Sequence, residues 1–160
     1  MQYFFKHFFL ECKLQKQISS PNSSDDSEAF KILLEGNGYE RYLHNAAENG
    51  EIDIFHKCQL LKFPTKVPND LGRLPIHTAI ANGQIEVVEI LLKEDETLKN
   101  STDFEGQTPL HLSAMNGNLD IFKLLMNKED NLIALENEND KGLTPLGTVI
   151  HIHKVSHDPI

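Results

Sequence analysis

GQTPLHLSAMNG, residues 106–117, is spelled more than once in this chain. GRLPIHTAIANG, residues 72–83, aligns with it residue for residue, and GLTPLGTVI begins a further copy at Gly142. Downstream of the shared glycine the match continues: GEIDIF at Gly50, GQIEVV at Gly83 and GNLDIF at Gly117. Each reads glycine, any residue, Ile or Leu, an acid, a β-branched residue, then Phe or Val. A histidine stands six residues before each glycine (His44, His77, His111), and the glycines lie 33 and 34 residues apart. Self-similarity at a fixed period of this size marks a repeat architecture, in which no single repeat can bury its apolar face alone.

The spelling has local physical reasons. Thr108 is placed to cap a helix N-terminus, and Pro109 suits the first helical position, where no N–H partner is needed. Leu110 and Ala114 are four apart and share a face. Gly117 falls where a left-handed residue must end that short helix. Leu119, Phe122, Leu124, Leu125 and Met126 then give a second helix with a broad apolar side. Helices of this length are marginal in isolation and hold only by stacking on neighbouring pairs.

Thr-Pro-Leu-His-x-Ala on a period near 33 is the ankyrin spelling. From Tyr39 to Ile152 the sequence resembles an ankyrin-repeat protein. The resemblance implies an all-α solenoid of about three and a half helix-turn-helix repeats. They run over 39–71, 72–105 and 106–141, with a partial repeat at 142–160. Residues 1–38 form a helical N-terminal extension with a polar linker at 19–27 (SSPNSSDDS). Ahead of Phe30, Ile32, Leu33 and Leu34, Asp25 and Glu28 give a capping-box-like helix start, and Gly36 and Gly38 stop that helix.

Departures from the pattern carry expectations of their own. The first repeat offers Arg41-Tyr42-Leu43-His44 without Thr-Pro, as tolerated in a terminal repeat. Leu74 replaces the capping threonine in the second, which forfeits a cap worth about 1 kcal/mol. Extra residues follow Met126. The fourth repeat has Gly147 where histidine is expected and His153 where glycine is expected, and the stack stops on half a repeat. Either that half is a sufficient cap, or further chain or a partner covers it. Left uncovered, it exposes apolar surface around Leu124 and Leu125 and leads to self-association.

Composition narrows the function. The chain has 160 residues, 15 basic and 24 acidic side chains and a net charge of -9, with no local basic patch, which argues against nucleic acid as a ligand. Cys12 and Cys58 make no disulfide framework and no C-x-x-C pair, so a reducing, cytoplasmic setting is the natural reading. MQYFFKHFFL, residues 1–10, is split by Lys6 and His7 and followed by Glu11, Cys12 and Lys13 where a secretory signal needs small residues, and it is too short to span a bilayer. Phe4, Phe5 and Phe8 mark an amphipathic face across residues 1–16, which either packs against the first repeat or a partner or makes an interfacial membrane contact.

Catalysis and metal binding find no support. His44, His77 and His111 recur in register, as a structural tie between repeats would, and no nucleophile accompanies them. His151, His153 and His157 suggest a metal cluster, but His-x-His shares a face only in a strand, whereas this stretch continues a helix. The acidic groups Asp25-Asp26, Glu94-Asp95-Glu96 and Glu129-Asp130 read as solvated surface charge. No enzyme, cofactor or metal is expected.

Ankyrin proteins recognise partners with the loop tips before the first helix and with the inner face of that helix. Carried over position by position, the resemblance implies Glu48 and Asn49 in the first repeat. In the second it implies Asp70, Leu71, Arg73, Ala81 and Asn82, and in the third Phe104, Glu105, Gln107, Met115 and Asn116. Asp140, Lys141 and Leu143 follow in the fourth. Leu71, Phe104 and Met115 are apolar where the fold does not require it. They either form the centre of a docking surface ringed by Asp70, Glu105 and Asp140, or Leu71 and Phe104 merely cover their own loops. The former implies a protein partner that is apolar with basic edges. The 13 lysines, 13 asparagines and 13 isoleucines are residues of A/T-rich codons. They suit a host-directed effector of an intracellular bacterium acting in the host cytosol, or an A/T-rich virus. The alternative is an inhibitor resembling the IκB type, which masks a transcription factor.

Overall fold

The structure is a computed structural model that describes residues 38–126 and 131–155. Residues 1–37, with the extension, its linker and the phenylalanine-rich segment, lie outside the described residues, as do 127–130 and 156–160. Contacts divide the chain into residues 1–42 and residues 43–160. The regular elements are α1 (Gly38–Asn49), α2 (Ile52–Leu61), α3 (Pro75–Ala81), α4 (Ile85–Glu94), a 3₁₀ turn (Glu96–Asn100), α5 (Pro109–Met115), α6 (Leu119–Leu125), α7 (Asn131–Glu136) and α8 (Pro145–Val155). All are helical. Gly38 is the first residue of α1; the helix expected to stop there lies outside the described residues.

Residues 43–160 carry the helix pairs. α3, α5 and α8 pack in one row, α2, α4 and α6 in a second, and α3 and α5 each pack on their own second helix, α4 and α6. The core lies between the rows: Phe55, Ile76, Ile80, Val87, Val88 and Ile121 are all fully buried. Between the helices of a pair the chain turns at Gly83 (φ 73°) and Gly117 (φ 65°), a left-handed conformation that favours glycine.

The helix starts follow the expected chemistry. Thr108 caps α5 by accepting the His111 N–H at 3.4 Å, and Pro109 is its first residue. Leu74 holds the same extended backbone at the start of α3 without a side-chain cap. There His77 Nδ1 accepts the Leu74 N–H at 3.0 Å, so half of the reciprocal arrangement survives.

Two expectations are corrected. Asp95 is not merely a solvated charge: it caps the 3₁₀ turn by accepting from Thr97 N–H at 2.9 Å and pairs with Lys66. Those partners hold its carboxyl down at about 2. Nor do Leu124 and Leu125 carry the exposed apolar surface at the last repeat, since Leu125 is buried and Leu124 half-buried. That surface belongs to Leu146 and Ile150 of α8. With His153 in place of glycine, α8 runs eleven residues where α3 and α5 stop after seven. The extra residues after Met126 accommodate α7.

Candidate functional site

Three loop tips precede α3, α5 and α8, and each is built on one Asn or Asp. Asn69 Oδ1 accepts the N–H groups of Leu71 and Arg73, both at 3.0 Å. Asp103 Oδ1 accepts those of Glu105 (2.9 Å) and Gln107 (3.0 Å). Asn139 Oδ1 accepts those of Lys141 (3.0 Å) and Leu143 (3.1 Å). One short side chain thus satisfies two backbone donors that a tight turn would leave unpaired. Successive tips join through their backbones, Phe104 N–H to Leu71 carbonyl and Asp140 N–H to Glu105 carbonyl, both at 3.0 Å. Residues 70–71, 104–105 and 140–141 therefore lie side by side.

The in-phase histidines fix these tips. His44 Nε2 donates to the Val67 carbonyl (2.9 Å) while Nδ1 accepts from Thr78 Oγ1 (2.7 Å). His77 Nε2 donates to the Ser101 carbonyl (3.2 Å), and His111 Nε2 to the Leu143 carbonyl (2.9 Å). Each reaches from one repeat into the chain entering the next helix pair. Both nitrogens of each ring are thus hydrogen-bonded within the scaffold, with His77 Nδ1 on the Leu74 N–H and His111 Nδ1 at Thr108. Burial pushes His77 below its ordinary range, because the charged ring would lose its hydration.

The expected contact residues divide by exposure. Glu48, Asn49, Asp70, Leu71, Ala81, Asn82, Phe104, Glu105, Met115, Asn116, Asp140 and Lys141 are exposed. Arg73 and Leu143 are half-buried. Gln107 departs from expectation: it is buried, with Nε2 donating to Glu105 Oε2 at 3.1 Å. Asn82 and Asn116 are partly committed to the scaffold, donating to the carbonyls of Thr78 (2.9 Å) and Ile80 (3.4 Å).

Among the expected contact residues Phe104 and Leu71 are the most exposed large apolar side chains, at 74% and 58%, and Met115 is 37% exposed. The Phe104 ring nevertheless has a seat. It lies over Gly72 of the preceding tip, where an added Cβ would come within 2.3 Å of the ring. Phe104 therefore covers a neighbouring loop and still presents most of its surface.

Charges on the tips pair across repeats. Arg73 Nε meets Asp103 Oδ2 at 3.2 Å and Lys141 Nζ meets Glu105 Oε2 at 3.1 Å. The lysine holds the Glu105 carboxyl below the usual range. Among the described residues Glu48, Asp70 and Asp140 form no ion pair. The presented charge is thus acidic around Leu71 and Phe104.

Sequence reading missed Asn69, Asp103 and Asn139, although an Asn or Asp three residues before each tip glycine is a readable turn signal. It also missed His151 as a surface residue: six residues after Pro145, it shares the register of Ala81 and Met115 and is exposed. Among the described residues no group of three His, Cys, Asp or Glu side chains could hold a metal. No helix among them is long and apolar enough to cross a membrane. A groove of about 350 Å³, lined by Leu92, Lys93, Glu96 and Leu124 among others, includes none of the expected contact residues.

A family model for ankyrin repeats in three copies matches residues 18–103 and 95–151. No curated protein gives a significant match.

Proposed function

Because the chain belongs to the ankyrin-repeat family, whose repeats are generally protein-interaction modules, we propose that it binds a partner protein through the loop tips and inner-helix ends of its stack. Leu71 and Phe104 form the apolar centre, Met115 extends it, and Asp70, Glu105 and Asp140 rim it. The action is steric occupation of the partner's surface, with no chemical step. One observation carries this reading: Phe104 stays 74% exposed while backed by the Gly72 loop. An aromatic side chain held on a rigid support gives contact area at little further ordering cost. The acidic rim favours a partner with basic edges around an apolar residue. The lysine-, asparagine- and isoleucine-rich composition supports a host-directed setting in the cytosol.

The test is affinity capture with the full chain against a variant carrying Leu71→Ala, Phe104→Ala and Met115→Ala, matched in helical signal. A partner held by the parent and lost by the variant supports the reading. On that partner, Phe104→Ala alone should weaken binding by about 2 kcal/mol, as hot-spot aromatics do. Equal recovery on both proteins removes the tips from the site.

A further inference from the structure

The fourth repeat presents an apolar face that its register should bury. Leu146 follows Pro145 as Ile76 follows Pro75 and Leu110 follows Pro109. Ile76 and Leu110 are 0% and 3% exposed, whereas Leu146 is 66% exposed. Ile150 holds the register of Ile80; the latter is fully buried and Ile150 is 61% exposed. The two side chains are one helical turn apart and form a single stripe.

That face is not arranged to receive another repeat in the manner of the earlier ones. Gly147 holds the register of His77 and His111, so no side chain there can tie the chain entering a following helix pair. α8 also continues through residue 153, where α3 and α5 have already given way to the glycine turn.

The charges on either side of the stripe suit a two-fold pairing. A Cβ added at Gly72 or Gly106 would meet Phe104 or Asp140 of the following tip, so this direction points to the next position in the stack. At Gly142 the nearest atom in that direction is Glu138 Oε2, at 3.9 Å. At the other end, the sequence places His153 and Lys154 three and four residues past Ile150.

We propose that this face is covered by the same face of a second copy of the chain, with the two α8 helices antiparallel. An axis at Thr148 sets Leu146 against Ile150 of the second copy. It also sets position 154 against position 142, where Glu138 lies, so the acidic end of each copy meets the basic end of the other. Closed two-fold contacts of this kind use one patch twice. With two exposed apolar side chains per copy the patch is small compared with standard interfaces, and the dimer is expected to be weak.

Sedimentation equilibrium of the full chain from about 10 µM to 1 mM, a range that reaches weak association, tests this. The apparent mass should rise from 18.2 kDa towards twice that value. Leu146→Glu with Ile150→Glu, both at exposed sites, should abolish the rise with helical signal unchanged. Glu138→Lys and Lys154→Glu should each weaken association several-fold, and the two together in one chain should restore it. A parent chain monomeric at 1 mM overturns the proposal and leaves the face to a different protein. A rise that survives the double glutamate variant assigns dimerisation to another surface. Charge swaps that fail to restore association overturn the antiparallel geometry.

Discussion

Replacing Asp103 with alanine removes three hydrogen bonds made by one buried side chain. Its Oδ1 accepts from Glu105 and Gln107 N–H at 2.9 and 3.0 Å, and its Oδ2 receives Arg73 Nε at 3.2 Å. The side chain is 2% exposed, so water cannot readily replace it. A hydrogen bond to a charged acceptor contributes about 1.5–3 kcal/mol, and a buried donor left unpaired costs about 1–3 kcal/mol. Gln107 N–H is such a donor, whereas Glu105 and Arg73 can partly turn to solvent. The expected loss for Asp103→Ala is therefore about 3 kcal/mol, a large share of the stability of a domain this size. Asp103→Asn separates the two roles. It retains the double backbone acceptance, as Asn69 and Asn139 do at their own tips, and loses only the charged bond to Arg73. Because that arginine side chain is 28% exposed, the expected cost is about 1 kcal/mol. Urea unfolding at neutral pH, followed by helical circular dichroism with unchanged m-value, measures both. An alanine variant within about 0.5 kcal/mol of the parent, the range of ordinary surface changes, would refute the reasoning. So would an asparagine variant as unstable as alanine.

Three further outcomes follow from the same geometry. His77 titrates near 6.5 when unfolded and lower when folded, so the unfolded chain takes up the proton first as pH falls. Its contribution is complete above about pH 6.5 and is lost as pH drops from there towards the folded value; urea midpoints should decline across that window, and less steeply in His77→Gln. Gly117 and Gly106 both have left-handed φ, but a Cβ at Gly117 meets nothing within 4 Å, while one at Gly106 would lie 2.9 Å from the Asp140 backbone nitrogen. Thermal or urea unfolding should show about 1 kcal/mol lost for Gly117→Ala and about 2–3 kcal/mol for Gly106→Ala, where the bond between tips breaks as well. Leu74→Thr should stabilise the chain by about 0.5–1 kcal/mol, since Leu74 (φ -78°, ψ 163°) and Thr108 (φ -83°, ψ 163°) share one backbone conformation; an unchanged midpoint would mean that the threonine oxygen does not reach the N–H.

The helix pairs were legible because their punctuation is local chemistry. Threonine, proline and glycine at fixed offsets set the limits of α5, and the same offsets set those of α3 even with Leu74 at the cap. The in-phase histidines were legible as ties because a tie must recur with the repeat. Two features were not. Asp95 reads as one of three acids in a row, and only the approach of Lys66 from the preceding repeat's loop makes it a paired cap. Leu146 and Ile150 have the spacing and character of core residues, and in sequence they cannot be told from Ile76 and Ile80. Their exposure is set by what stacks beyond them, and no local pattern encodes that.

The proposed binding face follows a related logic, which explains why residue identity alone does not say which side chains are presented. Each tip's charge is answered by the next repeat: Arg73 by Asp103, Glu105 by Lys141. Pairing of this kind draws Arg73 inward, and the hydrogen bond to Glu105 holds Gln107 below the surface, so neither is presented as its position in the repeat suggests. Asp70 and Asp140 have no such answer among the described residues and keep their charge towards solvent. Leu71 and Phe104 lie between them, joined by a backbone hydrogen bond across two repeats. The presented surface is therefore what remains after adjacent repeats have paired, an apolar couple between unpaired acids. Binding a basic-edged partner there would leave the cross-repeat pairs intact. Partner affinity should accordingly respond to Asp70→Asn and Asp140→Asn through the association rate and its salt dependence, with little change in stability. If those substitutions instead destabilise the stack without altering the association rate, the acids belong to the scaffold and the apolar couple stands alone.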